Sequence, residues 1–135
     1  MIYLLDTTAI SDLIREHSKV IAHLAELMPE DRVLLCAIVR GEVRYGIERL
    51  PPGQRRTDLQ TKADRLMAVL PCQSISDRAA DYYGRIKAST QKMGLSLDEN
   101  DLWIASAALS LEATLVSRDT DFHRVDGLNI IDWTK

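Results

Sequence analysis

Ile2-Tyr3-Leu4-Leu5-Asp6-Thr7-Thr8 is the stretch on which the reading of the fold turns. Four apolar residues in succession, without helical spacing, read as a buried strand over residues 2–6. The strand closes on an acid. A carboxylate at the end of a buried run costs solvation unless something compensates it. Thr7-Thr8 then offers an N-cap for a short helix running to about Arg15, and Asp6 itself is the alternative cap, since one oxygen can cap while the other binds a metal.

The same alternation continues outward from this stretch. A second helix covers roughly Ser18–Leu27, with Val20, Ile21, Leu24 and Leu27 at helical spacing, and Pro29 ends it. Val33–Val39 is apolar and β-branched, as expected of a parallel core strand. A helix is expected from about Arg40 through Glu48, before Pro51-Pro52-Gly53 breaks the chain. Gln54–Val69 reads as a long helix with Leu59, Ala63, Leu66 and Met67 on its apolar face, and Val69–Gln73 as a short strand. Ser76 caps a helix to Met93 that Gly94 stops. Asp98–Leu111 is a further helix, and Thr114–Ser117 and Leu128–Ile131 are strands. Strands alternating with helices define an α/β fold with a central parallel sheet. Ligands of such folds bind beyond the carboxyl ends of the strands.

At 135 residues the chain makes one domain, residues 1–135, with enough length for a core. Its 46% hydrophobic content excludes a disordered protein. No apolar stretch approaches the ~20 residues a membrane helix needs. The strand pattern starts at the N-terminus, so no secretory leader is expected. Cys36 and Cys72 lack metal-ligand spacing and read as buried free thiols of a protein in the reducing cytoplasm. His17 and His23 read as surface residues, and no histidine pair has zinc spacing. Neither a Gly-rich phosphate loop nor a Ser-His-Asp set occurs. A net charge of −3 argues against a generic nucleic-acid coat protein. RNA binding would need a local basic strip and a metal. Arg40, Arg44 and Arg49 form one basic cluster; Arg55, Arg56, Lys62 and Arg65 form another, which reads more readily as a solvated helix face.

Acids recur at strand ends and helix starts. Asp6 ends the first strand. Glu42 is expected in the first turn of its helix, where Gly41 would allow close backbone approach. Asp98, Glu99 and Asp101 share another first turn, where the helix dipole favours anions. Asp98 is the natural N-cap, and spacing alone does not choose which of the three faces a site. Asp119 lies nearest the strand Leu115-Val116-Ser117, and Ser117 can donate a hydrogen bond there. Asp121 would cap the turn at Phe122 or act as an outer ligand. Carboxylates meeting at one end of a sheet repel, and they persist when a cation neutralises them. Mg²⁺ or Mn²⁺ is the expected ion, and acidic sites of this kind handle phosphates.

The whole chain resembles the PIN-domain nucleases, in particular the small VapC-like ribonuclease toxins of bacterial toxin–antitoxin pairs. The resemblance rests on Leu4-Leu5-Asp6-Thr7, on Val39-Arg40-Gly41-Glu42-Val43-Arg44-Tyr45-Gly46-Ile47, on Glu99-Asn100-Asp101-Leu102-Trp103-Ile104-Ala105 and on Leu115-Val116-Ser117-Arg118-Asp119-Thr120-Asp121-Phe122, in that order. It implies a three-layer α/β/α sandwich around a mainly parallel sheet. It places the metal-binding, catalytic acids at Asp6, Glu42, Asp101 and Asp119. Ser117 stands as the supporting hydroxyl where the family more often has Thr, and Thr8 stands where many members have Asn. Thr7, Glu99 and Asp121 are further supporting candidates.

The implied activity is Mg²⁺-dependent hydrolysis of RNA by a metal-activated water, with Mn²⁺ as an alternative ion. Arg40 and Arg118 are candidate RNA-backbone contacts. The implied partners are a VapB-like antitoxin, landing between the first helices and Arg40–Leu50, and a second copy of the chain. For the latter, Tyr82, Tyr83 and Ile86 offer an interface or simply core packing. The alternatives are a PIN nuclease of RNA processing and a non-catalytic regulatory subunit. A receiver-like or phosphatase-like protein would need a second acid beside Asp6 and a late lysine, where Thr7-Thr8 and Ser117-Arg118 stand.

Overall fold

The computed structural model describes residues 1–135. Strand β1 (Ile2–Leu5) leads into helices α1 (Thr7–Ile14) and α2 (Ser18–Ala25). Then follow β2 (Arg32–Cys36), α3 (Ala37–Glu48), α4 (Gln54–Val69) and β3 (Cys72–Gln73). Helices α5 (Asp77–Lys92) and α6 (Glu99–Ser110) precede β4 (Thr114–Val116), a 3₁₀ turn over Thr120–Arg124 and β5 (Ile130–Ile131).

The strands form one sheet of order β3-β2-β1-β4-β5, with every pairing parallel. Leu4 lies opposite Leu34 on one side and Leu115 on the other, and all three are essentially fully buried. β1 is therefore the centre of the core, covered on both faces, which is why its sequence is continuously apolar. From β1 the chain steps outward to β2 and β3, then returns past β1 to β4 and β5. Right-handed crossovers put the first set of helices over one face and α5 and α6 over the other. The packing agrees: α1 contacts α2, α3 and α4, while α5 packs chiefly on α6. The direction of winding reverses between β1 and β4, which opens a crevice beyond their carboxyl ends.

Several elements differ from the sequence reading. β2 stops at Cys36 and α3 begins at Ala37, three residues before the expected start at Arg40. Ile38-Val39 looks β-branched and strand-like, but Val39, Val43 and Ile47 recur every fourth residue and are the buried stripe of the helix. α2 ends at Ala25, before Leu27, and α4 runs through Val69, leaving only Cys72–Gln73 as strand. Ser76 and Gly94 bound α5 as expected, the glycine in the left-handed conformation at φ 68°. Cys36 is buried, whereas Cys72 is exposed on the edge strand, so the expected pair of buried thiols is half right. His17 and His23 are half-buried rather than free on the surface. The His23 ring stacks on Trp133 at 6.0 Å, with Nε2 2.9 Å from the Lys135 carbonyl oxygen. Ile86 joins the core, and Tyr83 lies flat on Trp103 with ring centroids 3.9 Å apart.

Candidate active site

Asp6 is buried, at 2% exposure, directly after the central strand. Its backbone N–H donates to the Val116 carbonyl at 3.1 Å, extending the β1–β4 ladder by one rung. Asp6, not Thr7 or Thr8, is the N-cap of α1: Oδ1 accepts from the Ala9 amide at 2.8 Å. Thr8 donates its hydroxyl to the same oxygen at 2.7 Å. Oδ2 accepts from the Ser117 hydroxyl at 2.5 Å. Burial pushes the Asp6 carboxyl above its ordinary range, and the charge of Asp119 adds to that; the bonds from Ser117, Ala9 and Thr8 pull the other way.

Ser117 also accepts the Asp119 amide at 2.9 Å, so one hydroxyl joins two acids. Asp119 caps the 3₁₀ turn, with Oδ1 accepting from the Asp121 amide at 2.9 Å. The capping role expected of Asp121 thus belongs to Asp119, which lies at the strand end. Asp121 pairs with Arg124 at 3.1 Å.

Glu42 reaches the same end of the sheet from the second turn of α3, not the first, because the helix starts early. Thr7 donates to Oε1 at 2.6 Å and Asn100 to Oε2 at 3.4 Å, so the carboxylate is steered from α1 and α6 together. The neighbouring Gly41 makes no close approach: a Cβ there would meet nothing within 4 Å.

Asp101 stands half-buried in the first turn of α6, behind the N-cap Asp98, which accepts from the Asn100 amide at 2.8 Å. Its carboxyl is pushed from 3.8 up to about 7, first by burial, then by the charges of Asp119, Asp98, Glu42 and Asp6. All four expected acids are therefore close enough to feel one another. Glu99 is turned elsewhere, accepting from the Tyr83 hydroxyl and pairing with Lys87 at 3.3 Å.

Sequence reasoning passed over Asn100 and Asp12, and read Thr8 as a cap rather than as a donor to Asp6. Asp12 is buried on α1, and its Oδ2 accepts from Nε of Arg118 at 3.0 Å. The Arg118 amide lies 3.4 Å from Thr8 Oγ1, so the segment after β4 is tied to α1 twice. Arg40 is exposed on α3 beside Glu42.

The donor set is all oxygen and carries excess negative charge, which suits a hard divalent cation. No three acidic, histidine or cysteine side chains are arranged so that together they could hold a metal ion. Mg²⁺ binds through one or two carboxylates and keeps several waters, so an open arrangement fits it. Asp6, Glu42, Asp101 and Asp119 are the residues that could hold it.

A cluster of acids at the switch point of a parallel sheet, with hydroxyls orienting them, defines a class of metal-dependent phosphate-handling sites. The PIN domain model matches residues 3–128, and the chain belongs to that family. It is 34% identical over 140 residues to Ribonuclease VapC1 of Haemophilus influenzae (strain R2866), covering 100% of both chains. Among solved structures it is similar to VapBC2 from Rickettsia felis bound to a DNA fragment from its promoter. That match has a TM-score of 0.90, 29% identity, and coverage of 98% of this chain and 99% of that one. It is likewise similar to VapBC-1 from nontypeable Haemophilus influenzae, with a TM-score of 0.88, 31% identity and 100% coverage of both chains.

Proposed function

We propose that this protein is a Mg²⁺-dependent endoribonuclease, the toxin of a toxin–antitoxin pair, with Asp6, Glu42, Asp101 and Asp119 as its metal-binding acids. The observation that carries the reading is the gathering of four acids at one end of the sheet: Asp6 and Asp119 joined through the Ser117 hydroxyl, Glu42 steered by Thr7 and Asn100, and Asp101 in the first turn of α6. Such a concentration of like charge is relieved by a cation and is otherwise costly. The ribonuclease names of full-length relatives supply the substrate class.

Asp6, Glu42, Asp101 and Asp119 would hold Mg²⁺, which would supply a Lewis acid for the scissile phosphate and a water of lowered pKa as nucleophile. The chain's part is to hold its oxygens in place beforehand. Asp6 is fixed by three donors, Glu42 by Thr7 and Asn100, and Asp119 by its own capping turn. Ser117 sets the separation of Asp6 and Asp119. Arg40 and Arg118 flank the acids on α3 and after β4, as candidate phosphate contacts. Glu99 and Asp121, engaged with Lys87 and Arg124, support local structure rather than the ion.

The solved relatives are VapBC complexes, which supports a VapB-like antitoxin as partner here. Its landing surface would be the groove between α1 and α3, which leads to Glu42. No helix is long and apolar enough to cross a membrane. The reading places the protein in the cytoplasm, where its RNA is, and pairs it with a second copy as a homodimer.

The test is cleavage of cellular RNA by purified, partner-free protein with Mg²⁺ or Mn²⁺ against chelator, beside Asp101→Asn. Metal-dependent cutting that is lost in the variant supports the reading. Cutting that survives Asp101→Asn removes the proposed mechanism, and intact RNA with metal bound favours a regulatory, non-catalytic role.

A further inference from the structure

A groove of about 790 Å³ runs away from the acidic site between α1, α3 and α4. Thr7, Glu42 and Asn100 line its inner end, and Glu42 is the only acid on its walls. Three exposed arginines line it further out, Arg15 from α1, Arg49 from α3 and Arg55 from α4. None of the three makes an ion pair, in a chain whose acids outnumber its basic residues. On the same helices Arg40, Lys62 and Arg65 are likewise unpaired but lie outside the groove, whereas two other neighbours are neutralised. Arg44 pairs with Asp64 and Arg56 with Glu48, each at 2.6 Å, and neither lines the groove.

Helix electrostatics account for part of this pattern and fail for the rest. Arg15 and Arg49 are the C-cap residues of α1 and α3, where a cation is favoured. Arg55 is the second residue of α4, where the dipole disfavours a cation. An anion arriving in the groove would offset that cost. α3 contributes two more features. Tyr45 lines the groove and is 69% exposed, an unusual state for a large ring. Gly41 and Gly46 also line it and have open space where a Cβ would stand, so they keep the groove wide rather than let helices touch. Interior helix glycines cost about 1 kcal/mol each relative to alanine.

Unpaired cations along a track, an exposed aromatic face and a wide, partly apolar floor are the features that hold single-stranded nucleic acid. We propose that this groove is the path of the RNA strand on one side of the cut, with Arg15, Arg49 and Arg55 on successive phosphates and Tyr45 stacked on a base. The inference rests on the endoribonuclease reading above. It means that an antitoxin segment seated in the groove would inhibit by excluding the strand as well as by covering the acids.

The experiment measures binding rather than cutting. The full chain carrying Asp101→Asn, in chelator, is titrated with a labelled mixed-sequence single-stranded RNA of about 20 nucleotides over a range of salt concentrations. Removing one phosphate contact lowers the slope of log affinity against log salt by about 0.7 for a single strand. Arg15→Gln, Arg49→Gln and Arg55→Gln together should therefore lower it by about 2. Tyr45→Ala should weaken binding roughly 5- to 150-fold with the slope unchanged. Arg44→Gln and Arg56→Gln, outside the groove, should leave the slope as it was.

An unchanged slope in the triple variant overturns the proposal, as does failure of the parent chain to bind RNA at low salt. Loss of affinity for an antitoxin peptide with RNA binding intact would assign the groove to protein alone and overturn it too. Failure of the nuclease reading is seen separately, as RNA left whole by the wild-type chain with Mg²⁺ while the slope still responds to the arginines.

Discussion

Asp101→Asn should inactivate the protein and, without metal, make it more stable. The carboxyl of Asp101 is held at about 7 in the fold against 3.8 ordinarily, so between these values the folded chain binds a proton that the unfolded chain releases. Stability attached to this group is complete below about 3.8 and is lost as pH rises through about 7. The full displacement corresponds to at most about 4 kcal/mol. Asp101 is only half-buried, and solvent screening reduces the effect to on the order of 1–2 kcal/mol. An asparagine carries no such penalty. In chelator at pH 8 the variant should resist urea by that margin and melt several degrees higher. At pH 5 the advantage should fall to less than half, and it should vanish only below about 3.8. Saturating Mg²⁺ should reverse the order, because only the wild-type site gains binding free energy. A variant that is less stable than wild type in chelator at pH 8 would refute the argument, since it would mean the ionised Asp101 carboxylate stabilises the metal-free fold.

Ser117→Ala removes the hydroxyl that bonds Asp6 and accepts the Asp119 amide. It should cost roughly 1–3 kcal/mol in urea unfolding and lower the cleavage rate, while Ser117→Thr, which restores the hydroxyl, should recover most of both. Arg118→Ala strands the buried Asp12 carboxylate and should cost about 1–3 kcal/mol. In a double-mutant cycle with Asp12→Ala the two losses should be clearly less than additive, and additivity would show the pair to be energetically idle. Cys72 should react with a thiol reagent in the native protein, whereas Cys36, buried and with its pKa pushed up by burial, should react only in denaturant. Rapid modification of both thiols in the native state would contradict the buried end of β2.

The parts of the site carried by local signals could be read from the chain alone. Asp6 ends a run of apolar residues that only a central strand would have, and Asp98 and Asp101 sit where a helix start gathers acids. Whole-chain resemblance then selected among neighbouring acids, which spacing could not do. What stayed hidden depends on residues distant in sequence. The resemblance makes Thr7 a supporting candidate, but Asn100 matters because α1, α3 and α6 meet around Glu42, and no local pattern in residues 99–101 announces that. Asp12 reads as an ordinary polar residue on a short helix until Arg118 arrives beside it. The start of α3 was misread because Val33–Val39 is uniformly apolar and β-branched, and strand and helix burial coincide there. Only the fourfold spacing of Val39, Val43 and Ile47 separates the two, and it becomes visible downstream of the boundary.

The bond from Ser117 to Asp6 spans 111 residues, and Asp119 lies beyond it. During synthesis Asp6, Glu42 and Asp101 emerge in turn, while β1 lacks its β4 neighbour on one side until residues 114–116 leave the ribosome. Until then nothing fixes the Oδ2 face of Asp6, and the last acid is still inside the exit tunnel. The Asp6 face of the site is therefore completed only when the late strand β4 docks on β1, so the carboxylates are set by the last part of the sheet to assemble.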